Sequence, residues 1–459
     1  MNPADASMLA PPAADHAPNA GSLPRLLAGV SDDGGRVHVE RHLSVHGGLP
    51  LVGGRRSWRR REESPLVEEV HRAGLLGRGG AAFPMARKLQ AVAAVRGTAI
   101  VVANGTEGEP ASEKDATLME LAPHLVLDGA VAAAEAIGAT EALIATCEID
   151  VGAFESVSLA IEERSAAGIG GSDEPSLRVV SAPSHYVAGQ ETALVNYLDG
   201  GPALPTFTPP LPFERGVGRR PTLVSNVETL AHLALIARHG ARWFRALGTP
   251  AGSGSTLVTL AGPVARPGVY EIALGSSLAS LARAAGGTTH EVRGALIGGY
   301  AGAFMPASRL RDVALSEEHL APHGARMGAG VVSLLSTDAC PVAETVRVAR
   351  WMAGQSSGQC GPCVHGLDAL AGELERLAQG AGSGEGRLDY LATVIARRGA
   401  CGHPDGMVKL LESALRAFPE EFADHARHGP CERCASPPEL PLPARPVSGE
   451  RRRSRRATA

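Results

Sequence analysis

Apolar residues recur along this chain with two different periods, and the alternation between them predicts its elements. SPLVEEVHRAG (64–74) carries helical spacing, with Ser64 placed to cap its start. AIVVAN (99–104) is a short β-branched run and predicts a strand. APHLVLDGAVAAAEAIGA (122–139) predicts an apolar helix, and EALIAT behind it predicts another strand. This alternation runs over 65–247 and predicts an α/β domain with a layered, mostly parallel sheet. GTPAGSGS (248–255) reads as a linker. Residues 256–300 then read strand, turn, strand and helix, a compact β-grasp-like module extending over 254–335. From 338 to 426 the pattern is mainly helical. The ends differ. Residues 1–22 are low-complexity and 23–64 are Arg-rich, which predicts a disordered leader and an irregular segment. The Pro-rich tail over 429–459, ending in RRRSRR, is predicted to be disordered.

Composition narrows the function. A chain of 459 residues is too long for one core, so two to four domains are expected. A net charge of -4 and only 3% aromatic residues argue against a nucleic-acid binder. No apolar run reaches the length of a membrane span, and the first 22 residues lack the basic-then-apolar order of a signal peptide. Seven cysteines then suit a reducing cytoplasm, where metal binding or redox chemistry outweighs a disulfide framework. Only Lys88, Lys114 and Lys409 are lysines among 44 basic residues. A chain so biased toward Arg keeps lysine where Arg does not serve, which directs attention to 88–114.

Two loops there carry candidate chemistry. GLLGRGGAAFPMARKLQAV (74–92) sets Gly77, Gly79 and Gly80 ahead of a helical stretch, with Lys88 about two turns into it. Glycines admit a ligand close to the backbone, and a helix start offers N–H groups to a phosphate. The G-x-G-x-x-G dinucleotide fingerprint is missing, and on this loop alone a plain turn is the better reading. VVANGTEGEPASEKD (101–115) follows a strand and presents Asn104, Glu107 and Glu109 where α/β sheets bind ligands. By itself it reads equally well as a solvated acidic loop. Farther on, SSGQCGPCVHG (356–366) holds Cys360 and Cys363, and Cys401 follows in RRGACGHPDG. From spacing alone, an iron–sulfur site and a Cys₃His zinc site completed by His403 or His365 are equal readings. Cys147, in LIATC, reads as core. Cys431 and Cys434 form a second C-x-x-C, without two further ligands nearby in sequence, and are not expected to be an independent site.

GRGGAAFP with a following Lys, NGTEGEPASEKD, HYVAGQETALVNYLDG (185–200) and RRPTLVSNVETLAH (219–232) occur in that order. Over roughly 65–420 the chain resembles the NADH- and FMN-binding flavoprotein subunit of NADH:quinone oxidoreductase, respiratory complex I, as a divergent member. The resemblance implies a Rossmann-like FMN/NAD-binding α/β domain, a β-grasp-like SLBB module and a C-terminal helical-bundle iron–sulfur domain. It implies FMN contacts from Gly77, Arg78, Gly79, Lys88, Asn104, Glu107, Gly108, Tyr186, Ser225, Asn226 and Thr229. Three departures fall there: Thr106 replaces an Asp, Gly108 a Ser and Ser225 an Asn. For NADH it implies Phe83, Glu109 and Glu191, with Gln190, Thr208 and Leu211 departing from the family pattern. Phe213, two residues on, is a candidate replacement for the aromatic lost at Leu211.

The resemblance also decides between the metals. It implies C-x-x-C-x-x-C with a distant fourth Cys around one [4Fe–4S] cluster. Cys360, Cys363 and Cys401 match the last three ligands, and Ser357 stands at the first. Ser357 oxygen, a three-iron cluster, or Cys340, His365 or His403 as substitute ligands are the ways to complete the set, and loss of the cluster, leaving a structural relic, is the remaining option. The implied function is electron transfer between NADH and the cluster through FMN, as in an NADH dehydrogenase of the quinone type. The alternative is a repurposed FMN and iron–sulfur module working with a ferredoxin or a membrane partner. A zinc-stabilised scaffold is the third reading. Expected partners are ferredoxin-like or other electron-transfer subunits, with the chain peripheral to any membrane complex.

Overall fold

Parallel strands rich in Val, Ile and Ala form the first sheet, and apolar helices cover it. The computed structural model describes residues 6–7, 21–31, 34–48, 64–170, 174–382 and 385–443. The chain opens with a two-residue strand, β1 (Ala6–Ser7), and helix α1 (Val39–His46). The α/β unit follows as α2 (Pro65–Ala73), α3 (Met85–Ala94), β2 (Ile100–Gly105), α4 (Lys114–Leu121), α5 (Pro123–Ile137) and β3 (Glu141–Cys147). It continues through α6 (Val151–Ala166), β4 (Ser176–Ala182), α7 (Glu191–Leu198), β5 (Thr222–Asn226) and α8 (Val227–Phe244). Next come β6 (Ser255–Ala261), β7 (Gly268–Ala273), α9 (Leu278–Ala284), β8 (Val292–Ile297) and β9 (Ala303–Pro306). The short helices α10 (Ala307–Leu310) and α11 (Glu317–Leu320) lead to β10 (Val331–Ser336). The last helices are α12 (Pro341–Gly354), α13 (Leu367–Ala378), α14 (Glu385–Ile395), α15 (His403–Ala417) and α16 (Pro419–His428).

The first sheet has the order β4-β3-β2-β5, with every pair parallel. β3 lies on one side of β2 and β5 on the other, so a crevice opens between the carboxyl ends of β2 and β5. The register places Asn104 opposite Asn226 at its mouth. The second sheet has the order β1-β7-β6-β10-β8-β9, antiparallel except for β10 against β6. α5 is apolar on nearly every face and is accordingly buried along almost its whole length. It lies against α8 so closely that a side chain on Gly129 would collide with the Leu230 carbonyl. Cys147 is buried in β3. Among the described residues, no single helix is long and apolar enough to cross a membrane.

Both ends of the chain depart from expectation. The segment read as irregular contains α1, and Leu26, Leu27, Val30 and Val37 join the main core. Arg25 is fully buried, with its guanidinium stacked 3.9 Å over Trp243 and donating to the carbonyls of Trp243 and Phe244. The backbone N–H groups of Arg25, Leu26 and Leu27 converge on the buried Glu271 carboxylate of β7. An Arg-rich segment looks solvated in sequence because its partners lie more than 200 residues away. The tail expected to be disordered from 429 is packed as far as Leu442, and Leu440 is 1% exposed. RRRSRR and most of the leader lie outside the described residues.

Gly129→Ala forces α5 and α8 apart, at an overpacking cost of about 1–3 kcal/mol or more. Urea denaturation is expected to show a clearly lowered midpoint. Gly354→Ala, where an added methyl meets nothing within 4 Å, leaves the midpoint unchanged or slightly raised.

Candidate functional site

The crevice widens into a cavity of about 1050 Å³, large enough for a dinucleotide-sized ligand. All three parts of the chain line it. The first sheet contributes Asn104 and Asn226, the second-sheet region Gly298 and Arg326, and the helical region Cys401 and Lys409.

The glycine loop forms one rim. It is closed at its base by Gly77 N–H donating to Phe83 O and Met85 N–H to Leu75 O, each at 2.9 Å. Gly79 and Gly80 face the cavity. A Cβ on Gly79 would stand 3.1 Å from the Asn226 side chain, and Gly80 holds φ +99°. Arg78 supports the loop from below. Its N–H donates to Thr229 Oγ1 at 2.8 Å, and its guanidinium donates to the carbonyls of Ser253 and Ser255. Thr229 thus holds the loop backbone. Ser225 is buried, its hydroxyl 3.6 Å from the Met85 sulfur.

Lys88 lies in the first turn of α3, nearer the helix start than two turns, because the helix begins only at Met85. Its Nζ donates to Glu191 at 2.9 Å and to Val224 O at 3.0 Å. The residue matched to the flavin phosphate is therefore paired with one matched to the nucleotide. Neither side chain borders the cavity, nor does Phe83, which is 46% exposed. Phe213 packs against the main core and is not turned out as a stacking aromatic. Gln190 caps α7, accepting from Thr192 and Ala193 N–H.

The polar loop after β2 forms the opposite wall. Asn104 Nδ2 donates to Gly189 O at 2.8 Å, and its Oδ1 accepts from Thr106. Glu107 accepts from the Ser112 hydroxyl and from the N–H groups of Asp115 (3.1 Å) and Ala116 (3.2 Å). It keeps a partial exposure to the cavity but is otherwise enclosed by protein. That desolvation, with Asp115 beside it, pushes its carboxyl up to about 8, against the pull of Lys114. Burial likewise pushes Glu109 up to about 7, although it accepts from Tyr300 N–H at 2.7 Å. A Cβ on Gly108 would stand 2.7 Å from Tyr186 O, so the two loops approach too closely here for the Ser of the family pattern. Tyr186 itself lines the cavity and packs edge-on against Trp351 of α12.

Sequence reasoning missed the charges behind this wall. Lys114 is almost fully buried at the cavity, with Nζ 2.6 Å from Asp115 and 3.0 Å from Glu228. Burial alone would lower its pKa, but the surrounding carboxylates outweigh that and raise it. Glu228 is driven up by desolvation and pulled down further by Lys114, His232 and Arg78, to about 2. Asn226 donates to Asp115 Oδ2 at 2.6 Å and, as N-cap of α8, accepts from Glu228 N–H. The rarity of lysine was the one available signal for Lys114.

Cys360 and Cys363 sit in a wide turn at the start of α13, with Ser357 Oγ 3.6 Å from Cys363 Sγ. Cys401 borders the cavity ahead of α15. The substitute ligands considered from sequence lie elsewhere. His403 is buried, its Nε2 2.9 Å from Met352 O and its ring against Tyr186, and His365 is exposed. Cys340 instead joins His425, Cys431 and Cys434, whose ligand atoms all lie within 4.8 Å of one another. The second C-x-x-C therefore does have two partners, supplied from 94 and 9 residues upstream of Cys434. Among the described residues no set that tight forms around Cys360, Cys363 and Cys401, which disfavours a single zinc ion there.

Residues 70–235 match the family model of the Nuo51 FMN-binding domain. Residues 343–425 match that of the NADH-ubiquinone oxidoreductase-F iron-sulfur binding region. The chain is 32% identical over 378 residues to the second F-type subunit of NADH-quinone oxidoreductase from Rhizobium meliloti (strain 1021), covering 80% of this chain and 90% of the relative. It is 33% identical over 382 residues to the F-type subunit from Mycobacterium tuberculosis (strain ATCC 25618 / H37Rv), covering 80% and 85%. Among solved structures, an NAD+-reducing [NiFe]-hydrogenase in the H2-reduced state superposes with a TM-score of 0.74 at 29% identity. That match covers 83% of this chain and just under two thirds, 66%, of the hydrogenase chain.

The raised carboxyls have a pH consequence. A carboxyl whose pKa is higher in the folded than in the unfolded state binds more protons when folded, so stability falls as pH rises toward the folded value. Several buried histidines are held low and oppose this below pH 6.5, and Cys431, lowered to about 7, opposes it above that value, so the carboxyl effect is read between about 6.5 and 8 as the difference between wild type and Glu107→Gln. Across that range each carboxyl is expected to lower the stability of the apoprotein, by at most roughly 1.4 kcal/mol per pH unit. Glu107→Gln retains only the part due to Glu109. Urea midpoints at pH 6.5, 7.2 and 8 for both proteins check this, and parallel curves would remove Glu107 as the cause.

Proposed function

The chain belongs to the family of NADH-quinone oxidoreductase F-type subunits, and on that premise we propose that it is an electron-transfer flavoprotein passing electrons between NADH and an iron–sulfur cluster through FMN. One observation carries the reading: Cys401 borders the same cavity as Asn104, Glu107 and Asn226. In this reading a cluster ligand and the flavin-contacting loops share one cavity.

The residues present fit FMN. The backbone at Gly79 and Gly108 borders the cavity without a Cβ, and Asn104 and Asn226 set amide groups at the crevice mouth. In this reading Gly77, Arg78, Gly79 and Thr229 form or brace the phosphate loop, and Lys88 exchanges Glu191 for the phosphate. Asn104, Glu107, Gly108, Tyr186 and Asn226 hold and orient the flavin, and Ser225, buried against Met85, supports Asn226 from behind. FMN, when bound, would supply the conversion of one hydride's electron pair into single electrons. No side chain is required as general acid or base. The protein orients the donor, keeps water out and sets the polarity around the ring.

Phe83, exposed beside the loop, offers a stacking surface to NADH, with Glu109 and Glu191 for its polar groups. Cys360, Cys363 and Cys401 are the thiolate ligands of the cluster, with Ser357 oxygen as the fourth donor. We assign 65–247 as the FMN/NADH-binding domain, 254–335 as an SLBB β-grasp-like module and 338–426 as the helical iron–sulfur domain. The activity class is an NADH dehydrogenase of the quinone type, delivering electrons to other electron-transfer subunits.

Two outcomes test this. Lys88→Ala with Asn226→Ala is expected to weaken FMN binding by about 1–3 kcal/mol per lost charge-assisted contact, read by flavin fluorescence on titration. In the wild type, NADH added without oxygen bleaches the bound flavin. Bleaching by reduced ferredoxin alone would remove NADH as the donor.

For the cluster, serine oxygen is a harder donor than thiolate, so the site loses iron readily in air. Ser357→Cys is expected to yield a four-iron cluster that survives air longer, and Cys360→Ala to abolish the cluster. Iron and sulfide analysis with electron paramagnetic resonance reads both. Equal air sensitivity of the wild type and Ser357→Cys would show that position 357 is not a ligand.

A further inference from the structure

We propose that Cys340, His425, Cys431 and Cys434 form a tetrahedral structural zinc site that clips the C-terminal tail onto the helical region. This site is separate from the cysteines of the iron–sulfur reading.

The distances argue for one ion. Cys340 Sγ lies 3.4 Å from His425 Nε2 and 3.6 Å from Cys434 Sγ. Cys434 Sγ lies 3.8 Å from Cys431 Sγ and 3.9 Å from His425 Nε2. A tetrahedral ion with Zn–S near 2.3 Å and Zn–N near 2.0 Å needs edges of about 3.8 Å between sulfurs and about 3.5 Å from sulfur to nitrogen. The observed edges fit. A disulfide would need sulfurs at about 2.05 Å, and all of these thiols are free. A cubane spreads its thiolates around several irons, so ligand atoms this close suit a single ion. Three thiolates and one imidazole with no position left open is a donor set for structural zinc.

The surroundings orient the ligands. His425 Nδ1 lies 3.1 Å from Ala378 O, so its proton is held there and Nε2 is left to ligate. Cys340 is the N-cap of α12, and its sulfur accepts from Ala343 N–H at 3.4 Å. Cys340 and His425 are buried, while the Cys431–Cys434 knuckle closes over them from the tail.

The clip has a structural consequence. Beyond the knuckle, the backbone N–H groups of Glu439 and Leu440 donate to Glu344, Arg347 donates to Leu440 O, and the Glu439 carboxylate accepts from Ser336. The described part of the tail reaches Tyr300, whose hydroxyl donates to Pro441 O. Tyr300 N–H in turn holds Glu109 at the cavity. Fixing the tail by an ion removes chain entropy that these few hydrogen bonds alone must otherwise offset.

The test uses the full chain purified without oxygen from zinc-replete cells, with metals read by mass spectrometry. One zinc per chain is expected. Cys431→Ser with Cys434→Ser loses zinc and keeps its iron, and limited proteolysis then cuts the tail between 430 and 443. Cys360→Ala loses iron and keeps zinc, so this result and the cluster reading stand or fall separately. Should the double variant fail to fold, cobalt(II) exchanged into the wild type is expected to give the intense visible bands of a tetrahedral thiolate site. Wild type without zinc that also takes up none on incubation overturns the proposal. So does iron at this site, zinc retained in the double variant, or a cobalt spectrum lacking tetrahedral thiolate bands.

Discussion

The buried carboxylate of Glu228 is the interaction on which the arrangement depends. It sits at the start of α8, fully buried, where one helix end, two loops and two sheets meet. It pairs with Lys114 from α4 and accepts from Thr256 and Leu257 of β6. Arg78 of the glycine loop lies 3.9 Å away. Desolvating a carboxylate costs several kcal/mol, so an unpaired charge here would be intolerable. With Lys114 and two sheet donors the charge is satisfied only when the α/β unit and the second sheet are docked. The cation–anion set therefore specifies one assembly of parts, and the cavity exists because those parts meet at its edge.

From this junction the site follows by geometry. The strand order opens a crevice at Asn104 and Asn226, and Asp115 joins them by accepting from Asn226. Glu107 is held over the same helix start that carries Lys114 and Asp115. The net effect is a polar wall whose charges are paired inward, leaving amides, backbone and a proton-holding carboxyl toward the cavity. Such a surface suits a flavin, whose ring needs hydrogen bonds more than countercharge. The ion pair between Lys88 and Glu191 spans the space between α3, behind the glycine loop, and the start of α7, and ties the two sets of expected contacts together.

The helical region brings two cysteine constellations with different geometry. Cys401 borders the cavity, with Cys360 and Cys363 in the turn ahead of α13, while Cys340, His425, Cys431 and Cys434 close tightly at the start of α12. Tyr186, Trp351 and Tyr300 pack edge to face between the cavity and these helices. Tyr300 donates its N–H to Glu109 and its hydroxyl to Pro441 O, so one residue touches both the cavity wall and the tail.

Local pattern in the sequence determined the α/β alternation, the strand carrying Asn104, the helix starts at Pro65 and Pro123, the glycine loop and the Cys360–Cys363 turn. Each depends on side chains within a few residues of one another, where periodicity and Gly or Pro chemistry decide the backbone. Family resemblance in ordered motifs added the identity of the cofactors. Tertiary structure alone decided which side chains meet. Lys88 finds Glu191 from 103 residues away, and Cys434 finds Cys340 from 94. It also decided that an Arg-rich start and a Pro-rich tail are packed, because Arg25 and Leu440 gain partners that no local window contains. Burial and pairing are properties of three-dimensional neighbours, and a one-dimensional pattern records only the propensity to seek them.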